Sequence, residues 1–92
     1  MTTNPPCEGR NDYYRIISSS GLQRCFAWAG TYELSSGYWT QTQYLCPGNN
    51  RGRTKYVAGS YNYWSVWRGP ESDFTTCYEF NTPVAAFAVQ IA

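Results

Sequence analysis

The chain has 92 residues, with seven Lys+Arg against six Asp+Glu and no histidine. That length allows one small domain, residues 1–92, which buries only about 60–65% of the surface its unfolded form exposes and needs support beyond its core. Near-zero net charge argues against nucleic acid as a partner, and no run approaches the ~20 apolar residues of a membrane span.

Catalysis finds no support either. Without histidine, a Ser-His or Cys-His pair is impossible. The six acidic residues fall in separate turns and strands, so a pair of catalytic carboxylates is not expected. The chain reads as a binding protein, not an enzyme, and needs no cofactor.

Residues 1–10 form a polar arm with two prolines, pinned at Cys7. The arm lacks the apolar core of a secretory signal, so the chain is expected to be a mature form headed by an added Met1. Residues 13–18 then read as a strand, 19–21 as a turn, and 22–26 as the returning arm of a hairpin. The stretch Cys25-Phe26-Ala27-Trp28-Ala29-Gly30 reads as a stapled β-corner, with Gly30 free to take positive φ. A short strand at 31–34 is broken at 35–37.

Residues 39–45 form the next strand, with Trp39, Gln41, Gln43 and Leu45 on one face and Thr40, Thr42 and Tyr44, together with Tyr38, on the other. Residues 46–52 are a dense turn signal. A strand at 53–57 turns at 58–60 into the most aromatic strand, 61–68. There Tyr61, Tyr63, Ser65 and Trp67 fall on one side, and Asn62, Trp64, Val66 and Arg68 on the other. A loop at 69–73 leads to two closing strands, 77–80 and 84–91, the last apolar on both faces and therefore central. Apolar residues never keep a helical period, so an all-β sandwich or barrel is expected.

Four cysteines without C-x2-C pairs fit disulfides better than zinc. They imply an oxidising compartment, hence a secreted protein. Nine tyrosines, four tryptophans and four phenylalanines exceed what a core this size can absorb, so several rings must lie at the surface. The candidate ligand-binding residues are Trp39, Tyr61, Tyr63, Trp64 and Trp67. Arg10, Arg24, Arg51, Arg53 and Lys55 read as a solvated face.

Some of these segments carry a resemblance. Phe26 with Gly30, and Tyr56 with Tyr61 and Tyr63, are similar to the aromatic corners of βγ-crystallin Greek keys, though Tyr63 stands where those have glycine. More specifically, Cys7 with Asn11-Asp12-Tyr13 and Ile16, then Cys25-Phe26-Ala27-Trp28-Ala29-Gly30, then Gly48-Asn49-Asn50, resemble the secreted killer-toxin-like and antifungal proteins of streptomycetes. The likeness covers residues 7–51 and the closing strand, and is poor across 52–80.

That resemblance implies a single βγ-crystallin-like domain, a two Greek-key β-sandwich, with Cys7–Cys25 as the family's disulfide and Cys46–Cys77 as an addition. It implies a monomeric antifungal protein that binds a cell-wall polysaccharide, chitin first. The alternatives are a secreted protease inhibitor, using the loops at 46–52 or 69–76, and an effector that binds a host protein. Trp28 stands where the family has Asn, and packing over Cys7–Cys25 is favoured for it over an exposed binding role. The calcium motif of βγ-crystallins fails at Asn49-Asn50-Arg51-Gly52-Arg53-Thr54, which has arginine where a hydroxyl ligand belongs. No metal is expected, and Asn49-Asn50 reads as a turn that tolerates left-handed geometry.

Overall fold

A computed structural model of the chain describes residues 1–34 and 39–92. The turn expected at 35–37 and the position of Tyr38 lie outside the described residues. The described residues form seven strands: β1 (Tyr14–Ser18), β2 (Gln23–Phe26), β3 (Gly30–Glu33), β4 (Trp39–Cys46), β5 (Gly52–Ala58), β6 (Tyr61–Trp64) and β7 (Tyr78–Ile91). Every pairing is antiparallel. Among the described residues no helix is long and apolar enough to cross a membrane.

The all-β expectation holds, and the strands are joined in one hydrogen-bonded sheet, ordered β2-β1-β4-β7-β5-β6 with β3 also on β7. A sandwich or barrel was expected, and the strands run as one connected sheet because the 14-residue β7 serves both halves. Its first half pairs with β4, through Leu45↔Tyr78 and Tyr44↔Glu79. Its last residues lie between β3 and β5, where Ile91 faces Gly30 on one edge and Gly52 on the other.

Three expectations for strands are corrected, each by a local irregularity. The two closing strands are one. Between Thr42↔Val84 and Tyr44↔Glu79, β4 advances two residues and β7 five, so residues 80–83 bulge out of a continuous strand. Pro83 sits in that bulge, where its missing N–H costs no ladder bond. The clean alternation expected along 39–45 fails because Gln41 is left-handed (φ 63°), and Trp39↔Ala86 is followed by Thr42↔Val84. A second slip, from Ile17↔Tyr44 to Ser18↔Thr42 against β1, falls between Thr42 and Leu45, and both are buried.

The aromatic strand expected over 61–68 ends at Trp64. Beyond it the Ser65 hydroxyl accepts the Thr54 N–H (3.0 Å), and Arg68 then exchanges both backbone bonds with Gly52. From Lys55↔Trp64 to Gly52↔Arg68 there is one more residue on the 64–68 side than on the 52–55 side. Such a one-residue bulge exchanges faces.

Tyr14, Ile16, Phe26, Leu34, Leu45, Ala86, Val89 and Ile91 form the core. Inside it the Tyr14 hydroxyl meets Thr54 Oγ1 at 2.7 Å, both side chains fully buried, tying β1 to β5. Burial holds the Tyr14 phenol well above its ordinary value of 10.0. Above pH 10 the unfolded chain's phenol ionises while the buried one stays neutral, so this contribution is whole below pH 10 and falls as pH rises. Tyr14→Phe should cost about 1–3 kcal/mol by leaving Thr54 unpaired. It should also remove about 1.4 kcal/mol per pH unit of the wild type's stability loss above pH 10. Urea unfolding of both forms at pH 8 and pH 11 checks this, and equal pH slopes would refute it.

Two disulfides are present, Cys7–Cys25 and Cys46–Cys77, as the resemblance implied. The second extends the β4–β7 ladder one step past Leu45↔Tyr78. Two such bridges in a small domain are compatible with an extracellular protein. The turn after Cys46 is clamped on both sides. Asn49 N–H and the Asn50 amide both donate to Asp12 O (3.0 and 2.8 Å), while Glu71 N–H donates to Gly48 O (2.9 Å). The left-handed residue there is Gly48 (φ 60°), not Asn49 or Asn50, and a Cβ on it would lie 2.6 Å from the carbonyls of Asn11 and Tyr13.

Candidate functional site

β5 has two faces, and they differ in chemistry. Gly52 and Thr54 point into the core, and Tyr56 continues that inner face toward the turn of the β5–β6 hairpin. Arg53 and Lys55 point outward, following the two-residue period of a strand.

On the inner face the register sets Tyr63 opposite Tyr56 and Tyr61 opposite Ala58. The rings form a contiguous row. Tyr61 and Tyr63 are 6.4 Å apart by centroids, Tyr63 and Tyr56 5.8 Å, and Tyr56 and Phe80 5.1 Å with edge geometry. Phe80 packs against the core, whereas Tyr61 is 68% and Tyr63 46% exposed, so the row runs from interior to solvent. The β7 bulge carries Phe80 to this position. It also places Asn81 and Thr82 beside Tyr56 and Ala58, around a shallow depression of about 220 Å³. The row thus sets stacking faces beside hydrogen-bonding side chains.

On the outer face the Ser65 bulge brings Trp64 and Trp67 to the same cation. The Arg53 guanidinium lies 4.2 Å from the Trp64 ring centroid and 4.7 Å from that of Trp67. Lys55 Nζ lies 5.6 Å from Trp64 and 5.3 Å from Phe87, and Arg51 lies 5.9 Å from Trp67. Strict alternation had placed Trp67 with Tyr61 and Tyr63; the bulge moves it to the other face.

The five candidate aromatics therefore divide. Tyr61 and Tyr63 stand together on the inner face, and Trp64 and Trp67 together on the outer. Trp39 faces Ala86 from β4, packs against the core, and has the Arg24 guanidinium over its ring at 5.4 Å. Tyr56 and Phe80 were not singled out from sequence. Tyr56 is visible only as the inner neighbour of Tyr63 once hairpin register is known, and Phe80 only through the bulge.

The five basic residues do not form a common solvated face. Arg10 makes a two-bond ion pair with Asp12 (2.8 and 2.6 Å) and stacks over Tyr13. Those bonds hold the Asp12 carboxyl below its ordinary range. Arg24 sits on Trp39, whereas Arg53 and Lys55 lie on β5 and Arg51 immediately precedes it. Trp28 is a further correction. It does not pack over Cys7–Cys25 but is 71% exposed, with a left-handed backbone (φ 73°). The arm holds it there: Thr2 Oγ1 donates to Trp28 O (2.8 Å), and Thr3 exchanges backbone bonds with Ala27. With Asp12, Tyr13 and Asn49 it borders a concavity of about 290 Å³.

The two loops considered for an inhibitor differ. Cys46, Pro47 and Gly48 are buried against residues 11–13 and present no projecting segment, whereas 72–75 are exposed beside the Cys46–Cys77 staple. In comparison with known proteins, no family model, curated sequence or solved structure matches the chain.

Proposed function

We propose that the chain is a secreted, monomeric, non-catalytic polysaccharide-binding protein of the killer-toxin-like, antifungal type, built as a two Greek-key βγ-crystallin-like domain. Its ligand on this reading is a neutral cell-wall polysaccharide, with chitin first. The supporting observation is the row Phe80–Tyr56–Tyr63–Tyr61, which ends in two exposed rings and is bordered by Asn81 and Thr82.

Pyranose rings present apolar C–H faces between hydroxyl edges. The Tyr61 and Tyr63 rings would take the faces, while Asn81 and Thr82 hydrogen-bond the edges. Tyr56 and Phe80 hold the outer rings in place, so little side-chain freedom is lost on binding. Trp39, Trp64 and Trp67 are supporting residues on this reading, since each has a cation over its ring.

Depletion on chitin beads tests the proposal. The oxidised protein should be retained at low and at high salt, and Tyr61→Ala and Tyr63→Ala should each weaken retention about tenfold, the effect of losing an exposed anchoring ring. No depletion at low salt with both disulfides intact would sink it.

A further inference from the structure

The outer face of β5 carries a charge pattern that neutral-glycan binding does not use. Arg53 and Lys55 alternate along β5 and Arg51 immediately precedes it, so the Cα atoms of successive cationic residues stand about 6.6–6.8 Å apart and the outer two about 13 Å. Among the described residues the one ion pair is Arg10–Asp12, so none of these three cations has a carboxylate partner. Their hydrogen bonds to the protein leave most donors open. Arg53 Nε donates to Gln90 Oε1 (2.8 Å) and Arg51 Nη1 to Gly69 O (3.3 Å), while Lys55 Nζ makes no hydrogen bond among the described residues.

From this face we infer a second binding surface, for a linear anionic polysaccharide that bears a carboxylate or sulfate at regular intervals. The rings interleave the three heads in the order Arg51, Trp67, Arg53, Trp64, Lys55, which holds them in a row rather than around one oxyanion, and a row can meet successive charges along an extended chain. The indoles prepare them for it. Trp64 and Trp67 hold Arg53 between them, and Trp64 also supports Lys55, so the cationic heads are fixed against rings before any ligand arrives. The two terminal amino groups of Arg53 remain to fork onto a carboxylate.

A nucleic acid fits less well. Single-strand binding relies on open rings for base stacking, and here Arg53 covers both indoles. A net charge of +1 also supplies little general attraction for a duplex. The surface is independent of the tyrosine row, which lies on the opposite side of the same hairpin.

The test is titration of the oxidised protein with polygalacturonate, followed by tryptophan fluorescence, beside a single-stranded DNA oligomer of equal charge. Binding to polygalacturonate should weaken with salt, with a log–log slope of about −2 for three contacts. Arg53→Gln with Lys55→Gln should lower the affinity at least tenfold, whereas Tyr63→Ala should leave it unchanged. Near-UV circular dichroism confirms that each variant is folded, and the salt titration of the wild type stands without any variant. Absence of binding, salt-independent binding, an unaffected double variant, or tighter binding to the DNA would each overturn the inference. Loss of chitin retention alone would bear only on the tyrosine face.

Discussion

Gly69→Ala is expected to destabilise the domain by about 3 kcal/mol or more, which for a chain of this size is a fall of roughly 12 °C or more in thermal midpoint. Two causes combine. Gly69 has φ 84°, and a Cβ built on it would lie 2.1 Å from Asn50 O and 2.6 Å from Pro47 Cβ. A left-handed backbone costs a residue with a Cβ about 1–2 kcal/mol, and overpacking a rigid contact adds about 1–3 kcal/mol. The 47–50 turn cannot yield, because Gly48 on its other side is closed against the carbonyls of Asn11–Tyr13. Gly59→Ala provides the control. Gly59 is also left-handed (φ 64°), but a Cβ there meets nothing within 4 Å, so only the backbone cost applies. Thermal unfolding of both variants checks the account, and equal shifts would show that the clamp carries no steric load.

Losing the disulfides should have the other large effect. On the chain-entropy account, Cys46–Cys77, with 31 residues of separation, contributes about 4 kcal/mol, and Cys7–Cys25, with 18, about 3 kcal/mol. Together they rival the 5–15 kcal/mol that stabilises a whole domain. Cys46→Ser with Cys77→Ser should therefore lower the urea midpoint more than the matching Cys7/Cys25 pair of changes, and full reduction should leave the chain largely unfolded at 37 °C. Circular dichroism with and without a reductant reads this. A shift of only a few degrees on full reduction would contradict it.

Much of the strand content was legible because alternation and turn residues are local signals. β1, β2, β3, β5 and the start of β6 fall within a residue or so of where polar and apolar periods place them. What escaped is where the period slips. Nothing in Ser65 announces that its hydroxyl will accept a backbone N–H and turn Trp67 to the other face. Nothing in Gln41 announces positive φ. Such irregularities depend on the partner strand, and one-residue errors of this kind exchange whole faces. The candidate site was legible as a composition, an aromatic-rich hairpin, but not as a surface. Its division into a tyrosine face and a cation-capped tryptophan face rests on that single bulge.

Trp28 was misjudged for a related reason. A tryptophan beside a cysteine reads as packing, but the backbone at residue 28 is left-handed, and the arm's bonds from Thr2 and Thr3 present the ring to solvent. Exposure there follows from contacts with residues more than twenty positions away.

The position of β7 sets the order of assembly. Its pairing partners β3, β4 and β5 all precede it in the chain, and all three leave an edge open until it arrives. A chain emerging from its N-terminus can close the β1–β2 hairpin early, since that contact is local. The β5–β6 hairpin can close next. Neither can be joined to the other before β7 is present, because the sheet runs from one to the other only through it. Folding is therefore one late, non-local event, on the millisecond-to-second scale of β-rich topologies. Until then each hairpin stands alone, with no strand to bury its apolar face against the other.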